Sequence, residues 1–178
     1  YDTFGYMFFQ TLILDQQRNL ILLTRAPDLR QAQNTSNIKD IRIWVDQDKA
    51  NPTEDLKQIL NELNLKGKKV GVEYEAYGMT GRNALRLNKS LENYCKVEDH
   101  SELITKHRVI KSQEEIVYIK KAAELADRAL DEAWKYSKAG VSESKILAEM
   151  QKVIFEGGGD YPANEFIIGS GHNALLCR

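Results

Sequence analysis

The first half of the chain alternates short apolar runs with polar stretches. Two apolar runs, GYMFFQTLIL and NLILLT, stand on either side of the polar stretch DQQR. Runs of this length, rich in branched and aromatic residues, are typical of β-strands, and a short polar stretch between them favours a turn. The pattern therefore predicts a β-hairpin.

After the hairpin, helix-like and strand-like segments alternate. A short helix is expected near Pro27, because proline is tolerated in a first helical turn, and IRIWVD alternates like a strand. Thr53 is the expected N-cap of a second helix, and a third helix starts near Thr80. The apolar stripe of the second helix has helical spacing: Leu56, Ile59, Leu60 and Leu63. VGVEY and YCKVED are the remaining strands, so the predicted order is β-β-α-β-α-β-α-β.

This order predicts an α/β domain over residues 1–104, with one sheet between helices and right-handed crossovers between parallel strands. Two nucleotide-binding classes are excluded by motif. The sequence has no G-x-G-x-x-G opening a helix after a strand, and it has no G-x-x-x-x-G-K-[ST]. A Rossmann or P-loop function is therefore not expected.

The second half begins with a long amphipathic helix. Ser112 and Glu115 have the spacing of a capping box, and Gly140 is the expected left-handed residue that ends the helix. The predicted buried stripe recurs every three or four residues: Ile116, Ile119, Ala123, Ala126, Leu130 and Ala133. A helix with this pattern needs a partner surface for one of its faces.

A second helix follows, with Ser142 as the expected N-cap and three consecutive glycines after it. Its predicted inward residues are Ile146, Leu147, Met150 and Val153. The apolar run EFIIGSG is then expected to be a strand. The predicted organisation is an amino-terminal domain over 1–104, a linker over 105–111 and a second unit over 112–178.

Charge and composition exclude several classes of partner. With 25 basic and 26 acidic residues, the chain lacks the basic surplus of a nucleic-acid binder. No apolar run approaches the roughly 20 residues that span a bilayer, so no membrane partner is expected, and no signal peptide is seen. We expect a cytoplasmic protein. Cys95 and Cys177 are expected to be buried thiols rather than a disulfide or a metal site.

One ordered set of residues resembles a known family. It runs from Arg108-Val-Ile-Lys-Ser112 and the following acidic pair, through the Gly–Val–Ser–Glu junction at Gly140 to Glu143, to FIIGSGHN. This set is similar, over residues 106–178, to the creatinase/prolidase/Xaa-Pro aminopeptidase family. The resemblance implies a creatinase-type amino-terminal α/β domain followed by the first helices and strand of a pita-bread α+β domain.

The resemblance also implies metal chemistry. In this family, two divalent metal ions, such as Mn, Zn, Fe or Co, are held by two aspartates, a histidine and two glutamates, and they activate water for attack on a carbonyl. Those ligands are expected beyond Arg178, so this chain is expected to be a fragment that holds no metal and is inactive alone. His100 and His107 are expected to be surface or linker residues. The resemblance names no catalytic residue within the chain, and it implies a homodimer.

Arg178 falls where peptidase members carry a pocket histidine. Arginine does not exchange protons near neutral pH, but its planar guanidinium suits a substrate carboxylate. Arg178 and the nearby His172 are therefore the candidate substrate-binding residues, for a small peptide or a small zwitterion. The alternative at this point is that His172 caps the loop and Arg178 makes a salt bridge.

Two other functions stay open from the sequence. The ending, ANEFIIGSG to ALLCR, also resembles the branch of the family that cleaves dimethylsulfoniopropionate. A lyase needs a base and an anchored carboxylate rather than a protonated leaving amine, and Arg178 suits that need. The third possibility is a non-catalytic dimerisation or interaction module with an apolar sheet face as its partner surface.

Overall fold

A computed structural model describes residues 9–162 and 166–176 of the chain. The chain divides into two compact units, one up to Val109 and the other from Ile110 onward. The finer domain and linker bounds given above stay a prediction.

The predicted hairpin is present. Strands β1 (Thr11–Leu14) and β2 (Leu20–Arg25) pair antiparallel, with Thr11 opposite Leu23. The turn between them is closed by Asn19, whose backbone N–H and side-chain amide donate to the two carboxylate oxygens of Asp15 at 2.8 and 2.6 Å. The part of the predicted first strand before Phe9 lies outside the described residues.

The next elements also follow the predicted order. A 3-10 turn (Ala26–Asp28) leads into α1 (Leu29–Thr35), and β3 (Asp40–Trp44) then pairs parallel with β2. A parallel pair needs a crossover connection, which α1 supplies. The indole N–H of Trp44 donates to the carbonyl of Phe9 at 2.9 Å, so β3 is also fixed to the chain just before β1.

Two helices and two strands follow in the first unit. They are α2 (Pro52–Glu62), β4 (Lys69–Val72), α3 (Gly81–Leu91) and β5 (Lys96–Asp99), with β4 and β5 parallel. The expectation of one sheet is wrong for the described residues, where β1-β2-β3 and β4-β5 form two separate sheets. Strands join a sheet only through ladder hydrogen bonds, and no such ladder connects β4 to β1 within the described part.

The start of the third helix near Thr80 is confirmed, because α3 begins at Gly81 and the Thr80 hydroxyl oxygen accepts a hydrogen bond from the Asn83 amide at 3.2 Å. Thr53 is wrong as an N-cap, since α2 already begins at Pro52 with Asn51 in the cap position. Thr53 is instead fully buried, and its hydroxyl donates to the side-chain oxygen of Asn51 at 2.9 Å.

Apolar residues from β1 to β3, α2 and α3 form the core of the first unit. Leu56, Ile59 and Leu60 are buried as predicted, and Leu63 packs against them partly buried. The buried cluster contains Phe9, Ile13, Ile21, Leu23, Trp44, Leu56, Ile59, Leu60, Leu87, Leu91 and Tyr94. Most of the predicted linker is helical: α4 (Leu103–Val109) is an exposed helix that the sequence pattern did not reveal.

In the second unit, the capping box of the long helix is confirmed. The Ser112 hydroxyl accepts from the Glu115 amide at 3.2 Å, and the Glu115 carboxylate accepts from the Ser112 amide at 2.7 Å. The helix, α5, covers Gln113–Tyr136 and therefore ends before Gly140. Gly140 does have a positive φ of 84°, but it lies in the connecting turn.

The early end of α5 has a local cause. The Ser137 amide and hydroxyl both donate to the Ala133 carbonyl, at 3.0 and 2.6 Å, and the next amide, of Lys138, donates to Tyr136. A serine side chain that donates a hydrogen bond to the carbonyl four residues earlier competes with continuation of the helix.

The buried face of α5 is also different from the prediction. α5 packs along α6 (Glu143–Glu156), whose Ser142 cap is confirmed by a 3.3 Å bond from the Lys145 amide. Ala129 is buried in α5, whereas Ile119 and Leu130 of the predicted stripe are 46% and 52% exposed. A helix buries the residues that its partner covers, and here that partner is α6.

The predicted strand EFIIGSG is not formed where it is described. Residues 166–170 have no regular secondary structure, and a 3-10 helix (Gly171–Leu175) follows them. A strand is defined by its neighbour, and the described residues of this unit contain no strand to pair with. None of the described helices is long and apolar enough to cross a membrane.

Candidate functional site

The candidate loop is the segment from Gly169 to Leu176, which contains His172. Ser170 is the N-cap residue of its 3-10 helix, and the Ser170 carbonyl accepts from the Asn173 amide at 3.1 Å. Gly169 lies so close to this turn that an added Cβ would be 2.9 Å from the Asn173 carbonyl oxygen. A larger residue at position 169 would therefore push the turn open.

Glu143, in the first turn of α6, holds this loop. Its Oε1 atom accepts two hydrogen bonds from Ser170, one from the backbone N–H and one from the hydroxyl, both at 2.6 Å. These bonds lower the pKa of the Glu143 carboxyl, with the Ser170 hydroxyl as the main cause and the Ser170 amide as the next. The ionised form is thus the one that binds the loop.

Sequence reasoning missed the role of Glu143. Glu143 was noted only as part of the Gly–Val–Ser–Glu junction. Acidic residues are common in the first turn of a helix because they interact favourably with the helix dipole, so its presence there indicated no further role. Its partner Ser170 lies 27 residues further along the chain, so spacing carried no signal of the contact.

The structure describes one of the two predicted substrate-binding residues. His172 is in the 3-10 helix of the candidate loop and is exposed to solvent. Arg178 lies outside the described residues, so its distance to His172 is not defined. The substrate role of both residues stays a prediction.

The remaining candidates for metal or thiol chemistry that the structure describes lie in the first unit. His100 and His107 are exposed, and His100 Nε2 is 3.8 Å from the Glu98 carboxylate. Cys95 is a partly buried free thiol whose pKa is raised, chiefly by burial, and Cys177 lies outside the described residues. Over residues 9–162 and 166–176, no three His, Cys, Asp or Glu side chains gather in a group that could hold a metal ion.

Comparison with known proteins places both halves of the chain. The family model described as the Creatinase/Prolidase N-terminal domain matches residues 4–110, which is more than half of the chain. The chain belongs to the creatinase/prolidase family. The model described as Metallopeptidase family M24 matches residues 117–178, so the family resemblance inferred from the sequence is confirmed over both parts.

Two relatives are similar in sequence. An uncharacterized hydrolase/peptidase of Sinorhizobium fredii is 28% identical over 168 residues, which is 90% of this chain and 43% of the relative. An Xaa-Pro dipeptidase of Pyrococcus horikoshii is 32% identical over 110 residues, which is 61% of this chain and 30% of the relative. This creatinase/prolidase chain therefore spans less than half the length of these relatives.

Solved structures confirm the predicted fold class. A prolidase from Pyrococcus furiosus matches with a TM-score of 0.70 and 22% identity, over 92% of this chain and 46% of that one. An X-Pro aminopeptidase from Thermotoga maritima matches with a TM-score of 0.68 and 21% identity, over 86% and 40%. The chain thus has the creatinase-type α/β domain followed by the start of a pita-bread domain. Its family is one of hydrolases that act as peptidases, with a general use of divalent metals.

Proposed function

We propose that the whole protein is a metal-dependent hydrolase that cleaves peptides with proline in the second position, as a dipeptidase or an aminopeptidase. The observation that carries the proposal is the order of the two family matches, over residues 4–110 and 117–178. The second match includes the loop that Glu143 holds. The relatives and structures with assigned names are Xaa-Pro dipeptidases, prolidases and an X-Pro aminopeptidase.

The metal centre belongs to the whole protein in this proposal. The described residues do not supply a set of three ligands, so they do not fit the two-metal site that the family uses. We place the ligands beyond Arg178 and expect residues 1–178 alone to be inactive. When bound, the metals supply an activated water for attack on the peptide carbonyl.

The role that we propose for residues of this chain is substrate binding. A dipeptide with a free carboxylate offers two oxygens in one plane, and an arginine guanidinium matches them with two parallel hydrogen bonds. We assign this contact to Arg178 and a second polar contact to His172. The support for His172 is its exposed place in a loop that is fixed at Ser170.

A homodimer in the cytoplasm completes the proposal. The first unit has exposed apolar side chains on neighbouring strands, and Leu12 and Leu14 of β1 are 57% and 67% exposed. Apolar residues clustered in this way favour burial against a partner. Light scattering coupled to size-exclusion chromatography checks this part, and a strict monomer would contradict it.

The test of the activity uses the whole protein, loaded with Mn, Co or Zn after removal of bound metal by a chelator. Xaa-Pro dipeptides should be cleaved, and the same dipeptides with alanine in place of proline should be poor substrates. Activity should disappear with the chelator and return with the metal. Residues 1–178 alone should show no turnover under the same conditions.

A side-by-side assay with dimethylsulfoniopropionate separates the lyase alternative. The comparisons give no support to that alternative or to a non-catalytic module. Turnover of the zwitterion without dipeptide cleavage would overturn the peptidase proposal, and no turnover of either substrate by the metal-loaded whole protein would favour the module.

A further inference from the structure

The contact between Glu143 and Ser170 joins two distant parts of the second unit. Both hydrogen bonds of Ser170 go to the same carboxylate oxygen, at 2.6 Å each, across 27 residues of sequence. Hydrogen bonds to an ionised acceptor are roughly twice as strong as those between neutral groups. The candidate loop is therefore tied to α6 by a strong and specific contact.

The α6 end of this contact has a fixed position. Ser142 caps the helix through the Lys145 amide, and Ile146, one turn further along, is buried. Glu143 stands between them in the first turn, where the helix dipole also favours a negative charge. Its carboxylate is thus presented from a helix end that capping and packing already hold.

The loop end of the contact sets the start of the turn that contains His172. Ser170 is the N-cap residue of the 3-10 helix Gly171–Leu175, and its carbonyl accepts from the Asn173 amide. His172 is only two residues after Ser170, so a displacement of Ser170 would also displace the backbone at His172. The position of the backbone at His172 is therefore coupled to Glu143.

We propose that Glu143 is a positioning residue, which holds Ser170 and thereby sets the loop that presents His172 to substrate. The expected effect of Glu143 on catalysis rests on the proposed peptidase function, whereas its contact with the loop does not. It assigns Glu143 no contact with the reacting atoms. The physical content is that loss of the acceptor at position 143 releases the loop without disturbing α6.

Three variants and one control test the idea. Glu143→Ala removes the acceptor, whereas Glu143→Gln keeps an oxygen acceptor without the charge. Ser170→Ala removes the hydroxyl donor from the loop side and keeps the amide. The matched control is Glu149→Gln, the same change on the same helix, because Glu149 pairs with Lys145 at 2.5 Å instead of the loop.

The first measurement is backbone hydrogen exchange in the whole protein, which needs no activity. In Glu143→Ala the amides of Ser170 and Asn173 should exchange about tenfold faster or more, the size expected for a lost bond to a charged group. Glu143→Gln and Ser170→Ala should give smaller increases, and Glu149→Gln should give none. Unchanged exchange at these two amides in Glu143→Ala, with α6 intact by circular dichroism, would overturn the inference.

The second measurement is the kinetics of Xaa-Pro cleavage by the metal-loaded whole protein. Glu143→Ala should raise KM several-fold with a smaller change in kcat, because a released loop binds substrate poorly before any chemistry. Glu143→Gln should give a KM between those of the wild type and Glu143→Ala, because it keeps an oxygen acceptor for Ser170. If the helix dipole alone were responsible, Gln and Ala would give the same KM, since both remove the charge. A several-fold fall in kcat with an unchanged KM in Glu143→Ala would contradict the positioning role. If the wild type cleaves no such peptide, the proposed function fails, and the exchange measurement still decides whether Glu143 holds the loop.

Discussion

Leu87 and Leu85 in α3 make a matched test of where the core of the first unit lies. Both residues are in the interior of the same helix, but Leu87 is 3% exposed and Leu85 is 74% exposed. Replacing either leucine by alanine removes the same atoms and improves intrinsic helix propensity slightly. Any difference in unfolding free energy therefore reports burial alone.

The expected size follows from the packing. Leu87 belongs to the buried cluster with Leu23, Leu60 and Leu91. Burying a leucine side chain contributes about 1.5 to 3 kcal/mol, and the cavity left behind adds to the loss. Leu87→Ala should therefore cost about 2 to 5 kcal/mol, whereas Leu85→Ala should stay within about 0.5 kcal/mol of the wild type.

Urea unfolding followed by tryptophan fluorescence measures this difference. Trp44 is buried in the first unit and Trp134 is 73% exposed in the second, so a Trp134→Phe background leaves Trp44 as the reporter of the unit that contains Leu87. At an ordinary urea m-value, Leu87→Ala should lower the midpoint by roughly 1 to 3 M. Equal midpoints for Leu87→Ala and Leu85→Ala would refute the assignment of the core.

Three further predictions concern a cap, an ion pair and the substrate contact. Ser112→Ala should cost about 1 kcal/mol in the unfolding of the second unit, measured by circular dichroism, whereas its neighbour Gln113→Ala should be near neutral. The pKa of Asp40 is lowered, chiefly by its hydrogen bond with Arg42, so this pair stabilises the fold above the usual carboxyl pKa of 3.8 and the gain is lost as the pH falls below that value. The wild type should therefore have a higher unfolding free energy than Asp40→Asn at pH 5, and this difference should shrink as the pH falls to 2. The difference should stay below about 1 kcal/mol because the ion pair is exposed. A difference that does not change with pH would contradict this reasoning. In the whole protein, Arg178→Ala should weaken binding of a dipeptide by about 2 to 4 kcal/mol and Arg178→Lys by less, as read from KM or inhibitor affinity, and equal effects of both would argue against a two-pronged contact.

Features that depend on residues close together in the chain could be predicted from the sequence. The hairpin turn is closed by Asp15 and Asn19, and the caps at Thr80, Ser112 and Ser142 each bond an amide three residues away. The order of strands and helices from β1 to β5 was also predicted correctly. These features rest on local hydrogen bonds and on hydrophobic period, which the sequence contains in full.

Features that depend on a partner elsewhere in the chain were decided by the tertiary structure. The hydrophobic period of α5 predicted one buried stripe that contains Leu130, but packing against α6 decided that Ala129 is buried and Leu130 exposed. The run at residues 166–170 has the composition of a strand, yet a strand needs a neighbour and the described part of this unit offers none. The same reason hid the contact of Glu143 with Ser170, because a hydrogen bond across 27 residues exists only once the fold has brought its two ends together.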